Sequence, residues 1–121
     1  MTFRVFSLLV GIALGLAVLP AQSPRPDQVL YDSAISDIQH KRYDRARLEL
    51  QTLVNTYTSS ELLGPAKAAI CDSWYREGGA RGHAQAESEC KDVILLFPDS
   101  PAASDAQKIL QKMADARAKK K

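Results

Sequence analysis

Residues 83–101 read HAQAESECKDVILLFPDSP and contain the clearest structural pattern of the chain. Its apolar residues recur at steps of four, three and four: Ala86, Cys90, Val93 and Phe97. This spacing places them on one face of a helix. Pro98 then ends that helix, and Ser100 followed by Pro101 is typical of the N-cap and first residue of the next one.

The same spacing of residues occurs 40 positions earlier in the chain. Residues at the matching offsets are Tyr43, Ala46, Leu50, Leu53, Tyr57 and Ser60. Each copy ends with an aromatic residue followed three positions later by a serine, and we call this the exit signal of the helix. A helix that recurs with its exit signal indicates an internal repeat, and a period of this size is typical of stacked helical units. We therefore expect two copies of one helical unit.

Size and charge limit the classes of function. The 121 residues provide for one domain, and the formal net charge is +2. No run of basic residues interleaved with aromatic ones indicates a nucleic-acid interface. The one block of charge is the basic tail, residues 119–121.

The N-terminus is typical of an export signal, predicted over residues 1–21. Arg4 precedes an apolar segment, Val5 to Leu19, which is shorter than the roughly 20 residues that span a bilayer. We favour cleavage after Ala21; a retained membrane anchor is the alternative. No cysteine precedes residue 71, so a lipid-attachment cysteine after the signal is lacking. These features predict export to the periplasm or the periplasmic face of the outer membrane.

Five helices are predicted after a proline-rich linker at residues 22–27. Asp27 is the expected N-cap of a first helix over residues 28–41, and the second covers 43–57. Ser59 or Ser60 is the expected cap of the third helix, which begins near Gly64 and stops at two glycines, Gly78 and Gly79. The stretch 83–101 holds the fourth, and Ser100 opens the fifth.

No segment alternates apolar and polar residues in the manner of a strand. The predicted fold is therefore all-α over residues 28–118: two antiparallel helical hairpins and a closing C-terminal helix, a short α-solenoid. Because one hairpin does not bury its own apolar face, the two are expected to stack.

The repeated residues resemble a tetratricopeptide (TPR) repeat. The first copy contributes Tyr31, Ala34 and the series from Tyr43 to Tyr57; the second contributes Trp74-Tyr75, Gly78-Gly79 and the series from Ala86 to Ser100. The long period and the exit signal are similar to those of the BamD/YfiO outer-membrane assembly lipoproteins and the YbgF/CpoB periplasmic TPR domains.

This resemblance implies a non-catalytic protein–protein interaction adaptor of the bacterial cell envelope, linked to outer-membrane protein assembly. Its partner would be a peptide or helix in a short concave groove lined by the first helix of each pair, or an envelope assembly component. The alternative is a structural or oligomerising module, in which the fifth helix pairs with a second copy. No nucleic-acid partner is expected, and membrane contact is expected to be peripheral at most.

Cys71 and Cys90 are a candidate disulfide. They are equidistant from a turn expected at Ala80 and Arg81, and residues symmetric about a hairpin turn face each other. Export favours oxidation, and closing a loop of about 20 residues contributes on the order of 3 kcal/mol. Two free thiols, buried as small apolar residues, are the alternative.

No residue pattern indicates catalysis, a cofactor or a metal. The two histidines, His40 and His83, lie near different hairpin turns and lack the paired Cys/His spacing of a zinc site. Trp74 and Tyr75 are expected to pack in the core, with a ligand platform as the less favoured interpretation. We therefore predict no enzyme activity, and the residues of the groove are not specified at this stage.

Overall fold

A computed structural model describes Gly15 and residues 23–120. The predicted signal peptide lies, Gly15 apart, outside the described residues. Five helices and no strand occur in this part of the chain, which confirms the all-α prediction: α1 Pro26–Gln39, α2 Tyr43–Thr56, α3 Leu63–Glu77, α4 Gly79–Leu96 and α5 Pro101–Lys119. Within the described residues, none of these helices is long and apolar enough to cross a membrane.

The predicted signals around α5 and at the end of α3 are confirmed. The Ser100 hydroxyl accepts a hydrogen bond from the Ala103 amide at 3.1 Å, and Pro101 is the first helical residue. Gly78 and Gly79 have φ angles of 77° and 72°, which residues with a side chain rarely adopt. These two glycines therefore reverse the chain between α3 and α4.

The predicted start of α1 is wrong by two residues. The helix begins at Pro26, whose fixed φ suits the first helical position, so its N-cap is Arg25 and not Asp27. Asp27 instead lies in the first turn, where its carboxylate accepts a hydrogen bond from the Ser60 hydroxyl at 2.6 Å. This bond joins the start of α1 to the connection between α2 and α3.

Two other details of the connections differ from prediction. Neither Ser59 nor Ser60 caps α3, which begins at Leu63 with Leu62 as its N-cap; the Ser60 hydroxyl closes the preceding turn by accepting from the Leu62 amide at 3.0 Å. Ala80 and Arg81 are not a turn but the start of α4, because the two positive-φ glycines complete the reversal earlier.

The helices pack in sequence, each against the next, and α3 also packs against α5. Among the helix pairs that are in contact, α1 and α3 share the smallest contact. The repeated positions are the core: Ala46, Leu50 and Leu53 in α2, and Ala86, Cys90 and Val93 in α4, are all fully buried. Two apolar clusters result, one on each side of α3, and Trp74 packs against both.

The α3 and α4 helices approach each other closely at Gly82. A Cβ atom at this position would lie 2.7 Å from the backbone oxygen of Trp74, so only glycine fits without a shift of the helices. Further along the same pair, a disulfide joins Cys71 to Cys90 with their Cα atoms 5.3 Å apart. Both features hold the second hairpin tightly together.

Candidate functional site

A groove of about 480 Å³ runs along one side of the helical stack. Three helices line it, α1, α3 and α5, which are the first helices of the two hairpins and the closing helix. The lining residues are Tyr31, Ile35, Pro65, Ala68, Ala69, Asp72, Pro101, Ala102, Asp105, Lys108, Ile109 and Lys112. We call this site the α1–α3–α5 groove.

The floor of the groove is apolar and built from small residues. Ala68 and Ala102 are buried where α3 and α5 meet, and Ala69 is buried on the side of α3 that faces α1 and α2. Because alanine carries only a methyl group, the two helices leave space above this contact. Ile35 of α1 and Ile109 of α5 flank that space. Such a floor suits the apolar side chains of a ligand, for which burial is worth about 25 cal/mol per Å².

Polar groups lie along the edges of the groove. The Tyr31 hydroxyl has its pKa raised, chiefly because the side chain is removed from water and secondarily by the negative charges of Asp105 and Asp32. Tyr31 belongs to α1 and Asp105 to α5, and both residues line the groove. A hydroxyl and a carboxylate are thus available to orient a ligand.

The charged residues of the groove differ in how far they are neutralised. Asp72 forms an ion pair with Arg76 at 2.7 Å, and Asp105 lies 4.0 Å from the Lys108 ammonium group. No ion pair involves Lys112 within residues 23–120. The α5 edge of the groove therefore carries the surplus of positive charge.

A buried arginine, which the sequence analysis did not single out, connects the two hairpins. The Arg47 guanidinium lies 3.6 Å from the centre of the Trp74 ring and donates to Ser73 and Glu77 of α3, at 3.3 and 3.2 Å. It also pairs with Asp44 within α2. The sequence does contain an indication that Arg47 is buried, because it follows Tyr43 by four positions and so lies on the same face of α2.

Trp74 and Tyr75 are held in position by packing against neighbouring apolar side chains. Both are partly buried against the apolar clusters, and the Tyr75 ring stacks on that of His83, with centroids 5.6 Å apart. The other histidine, His40, lies after α1, where its Nδ1 is 2.7 Å from the Ser36 carbonyl oxygen. No group of three or more potential ligands within residues 23–120 is arranged to hold a metal ion.

The disulfide lies away from the groove. Cys71 and Cys90 are fully buried between α3 and α4, on the other side of α3 from α1. Their Cα separation of 5.3 Å falls within the range of about 4.4–6.8 Å that disulfides require. The bond therefore fixes the hairpin that supplies one wall of the groove and takes no part in its lining.

Comparison with known proteins gives no family for the chain. No protein-family model matches it, and no curated protein matches it either. The groove is therefore interpreted from its own geometry and chemistry.

Proposed function

We propose that the chain is a non-catalytic protein–protein interaction adaptor of the bacterial cell envelope, and that the α1–α3–α5 groove is its binding surface. The partner is a segment of another protein, seated over the apolar floor. An association with outer-membrane protein assembly, of the BamD type, belongs to this proposal through the resemblance of the repeats.

The observation that carries the proposal is the composition of the groove. It joins an apolar floor of alanine, proline and isoleucine to a few polar groups at the edges, which is the usual make-up of a ligand site. Its volume of about 480 Å³ suits a few residues of a peptide rather than a whole domain. Binding through such a short groove is expected to be weak, unless the partner makes further contacts.

The competing proposal, a module that pairs through α5, has less support. Side chains exposed on α5 within the described residues include no large apolar residue. Surfaces buried in stable homodimers are more apolar than the average surface, whereas this helix exposes mainly Ser, Gln, Asp, Lys and Arg, with three alanines near its end. A polar outer face is instead typical of the helix that ends a solenoid.

Selection from a displayed peptide library tests the proposal. The blocking variant is Asp105→Trp, which places a bulky ring at an exposed position of the groove, and the matched control is Asp115→Trp, the same change at an exposed position of α5 outside it. We expect peptides that bind the wild type and Asp115→Trp but lose at least about tenfold in affinity, or 1.4 kcal/mol, with Asp105→Trp. If the selected peptides bind Asp105→Trp with the same affinity as the wild type, the groove is not the binding surface.

The cell-envelope location has its own test. Fractionation of the producing cells and the mass of the protein's N-terminus should show an exported chain that begins at Gln22. A full-length chain in the cytoplasmic fraction would contradict it.

A further inference from the structure

Charge is distributed unevenly along the chain. Residues 108–121 contain six basic residues and one acidic residue, a net charge of +5. Residues 22–107 contain nine basic and thirteen acidic residues, a net charge of −4. Within α5, residues 108–119 contain four basic residues and one acidic residue, so the second half of this helix is a basic strip on a domain that is otherwise acidic.

The basic strip continues the groove. Lys108 and Lys112 line the groove, and Lys119 follows at a spacing that keeps it on the same face of α5. Beyond the groove, a smaller cavity of about 100 Å³ lies between α5 and the α3–α4 hairpin. Two of its lining residues, Arg117 and Lys120, are basic, and its floor includes Met113. We call this cavity the basic notch.

We infer that the partner segment is acidic as well as apolar: its apolar side chains occupy the α1–α3–α5 groove, and its carboxylates follow α5 past Lys112 to the basic notch. This inference rests on the proposed function and specifies the chemistry of the partner. The path from Pro101 to Lys120 spans about 29 Å at 1.5 Å per helical residue. An extended segment of roughly nine residues covers that length at about 3.3 Å each.

The charges along this path are only partly neutralised within the protein. Arg117 pairs with Glu87, and Lys108 lies near Asp105. No ion pair within residues 23–120 involves Lys112 or Lys119, and both are exposed. These ammonium groups are free to bind carboxylates of a partner.

A protein segment fits the arrangement better than a membrane or a nucleic acid. Part of the basic strip lies in a concave groove with an apolar floor, which a flat bilayer surface does not enter. The remaining surface carries a net negative charge and would be repelled by any extended anionic surface. A single chain, by contrast, contacts the groove and the strip without approaching the acidic faces.

Two synthetic nine-residue peptides, each with a fluorophore at the N-terminus and an amide at the C-terminus, test the inference by fluorescence anisotropy. One has three leucines followed by six glutamates; the other has glutamines in place of the glutamates. We expect the acidic peptide to bind about tenfold more tightly than the neutral one at about 0.01 M ionic strength, and the difference to shrink at about 0.15 M because of screening. The double variant Lys108→Gln/Lys112→Gln should remove most of the difference, whereas Lys41→Gln/Lys67→Gln, which changes two lysines that line neither the groove nor the basic notch, should preserve it.

The outcomes separate this inference from the proposed function. Equal affinity for the two peptides, with sensitivity to Asp105→Trp, would leave the groove as a binding surface and overturn the acidic partner. Binding of neither peptide would overturn the acidic partner, and the library selection would then decide on the groove separately. Capture by vesicles of phosphatidylcholine and phosphatidylglycerol, without binding of the acidic peptide, would overturn the inference in favour of a membrane surface.

Discussion

Replacing Gly82 by alanine should destabilise the protein, although the same change usually stabilises a helix. The added Cβ atom would lie 2.7 Å from the Trp74 carbonyl oxygen, which is held in place because it accepts the Gly78 amide at 3.1 Å. Alanine gains about 0.5–1 kcal/mol over glycine in a helix. Overpacking costs about 1–3 kcal/mol, and contact with a fixed backbone atom belongs to the upper part of that range, about 2–3 kcal/mol, so the net loss should be about 1–2.5 kcal/mol.

Gly64 provides the matched control. It is also buried in a helix, but its added Cβ atom would meet Ala102 and Phe97 at 3.5 Å, an ordinary contact distance. Gly64→Ala should therefore leave stability unchanged or raise it by up to about 1 kcal/mol. Urea unfolding followed by far-ultraviolet circular dichroism measures both variants. The close approach of α3 and α4 is refuted if Gly82→Ala proves as stable as the wild type.

Three further predictions concern the contacts between helices. Arg47→Ala should lower the free energy of unfolding by about 2 kcal/mol, because a cation–π contact and buried hydrogen bonds are lost, and should change the emission of the one tryptophan; unchanged emission and stability would contradict this. Cys71 and Cys90 should resist alkylation until reductant is added, as mass spectrometry would show, and replacing both by alanine should lower stability by about 3 kcal/mol. The hydrogen bond from the Ser60 hydroxyl holds the pKa of Asp27 below its ordinary value of 3.8. The Asp27 carboxylate therefore contributes to the free energy of unfolding above the pKa of the unfolded chain, and this contribution is lost as the pH falls through the lower folded pKa. Ser60→Ala should therefore be less stable than the wild type at pH 7, with a difference that shrinks below about pH 4; a difference independent of pH would contradict it.

The helical repeat could be predicted because its signal is local and periodic. Ala46 and Ala86, and likewise Leu53 and Val93, occupy matching positions and are equally buried, since the same face of each second helix meets the core. Arg47 was harder to predict because two signals conflict. Its position in the helical periodicity places it on the buried face of α2, whereas its charge is typical of a solvent-exposed residue. Its burial depends on partners in α3, about 26 to 30 residues away.

Other features depend on distant contacts that no local pattern encodes. Asp27 has the residue type of an N-cap, but its partner is a serine 33 positions later. The groove residues follow from how α1, α3 and α5 are rotated about their axes, which packing of the whole stack determines. The sequence therefore predicts a groove along the first helix of each pair, but neither the part that α5 takes in it nor the side chains that line it.

Mapping of a bound peptide onto the protein by nuclear magnetic resonance shows whether the α1–α3–α5 groove is the binding surface. The peptide would be the tightest binder from the library selection, titrated into isotope-labelled protein. We predict that the largest amide shifts fall on residues of the groove such as Ile35, Ala69 and Asp105. Shifts concentrated instead around Leu48 of α2 and Leu95 of α4, two exposed leucines outside the groove, would contradict the account.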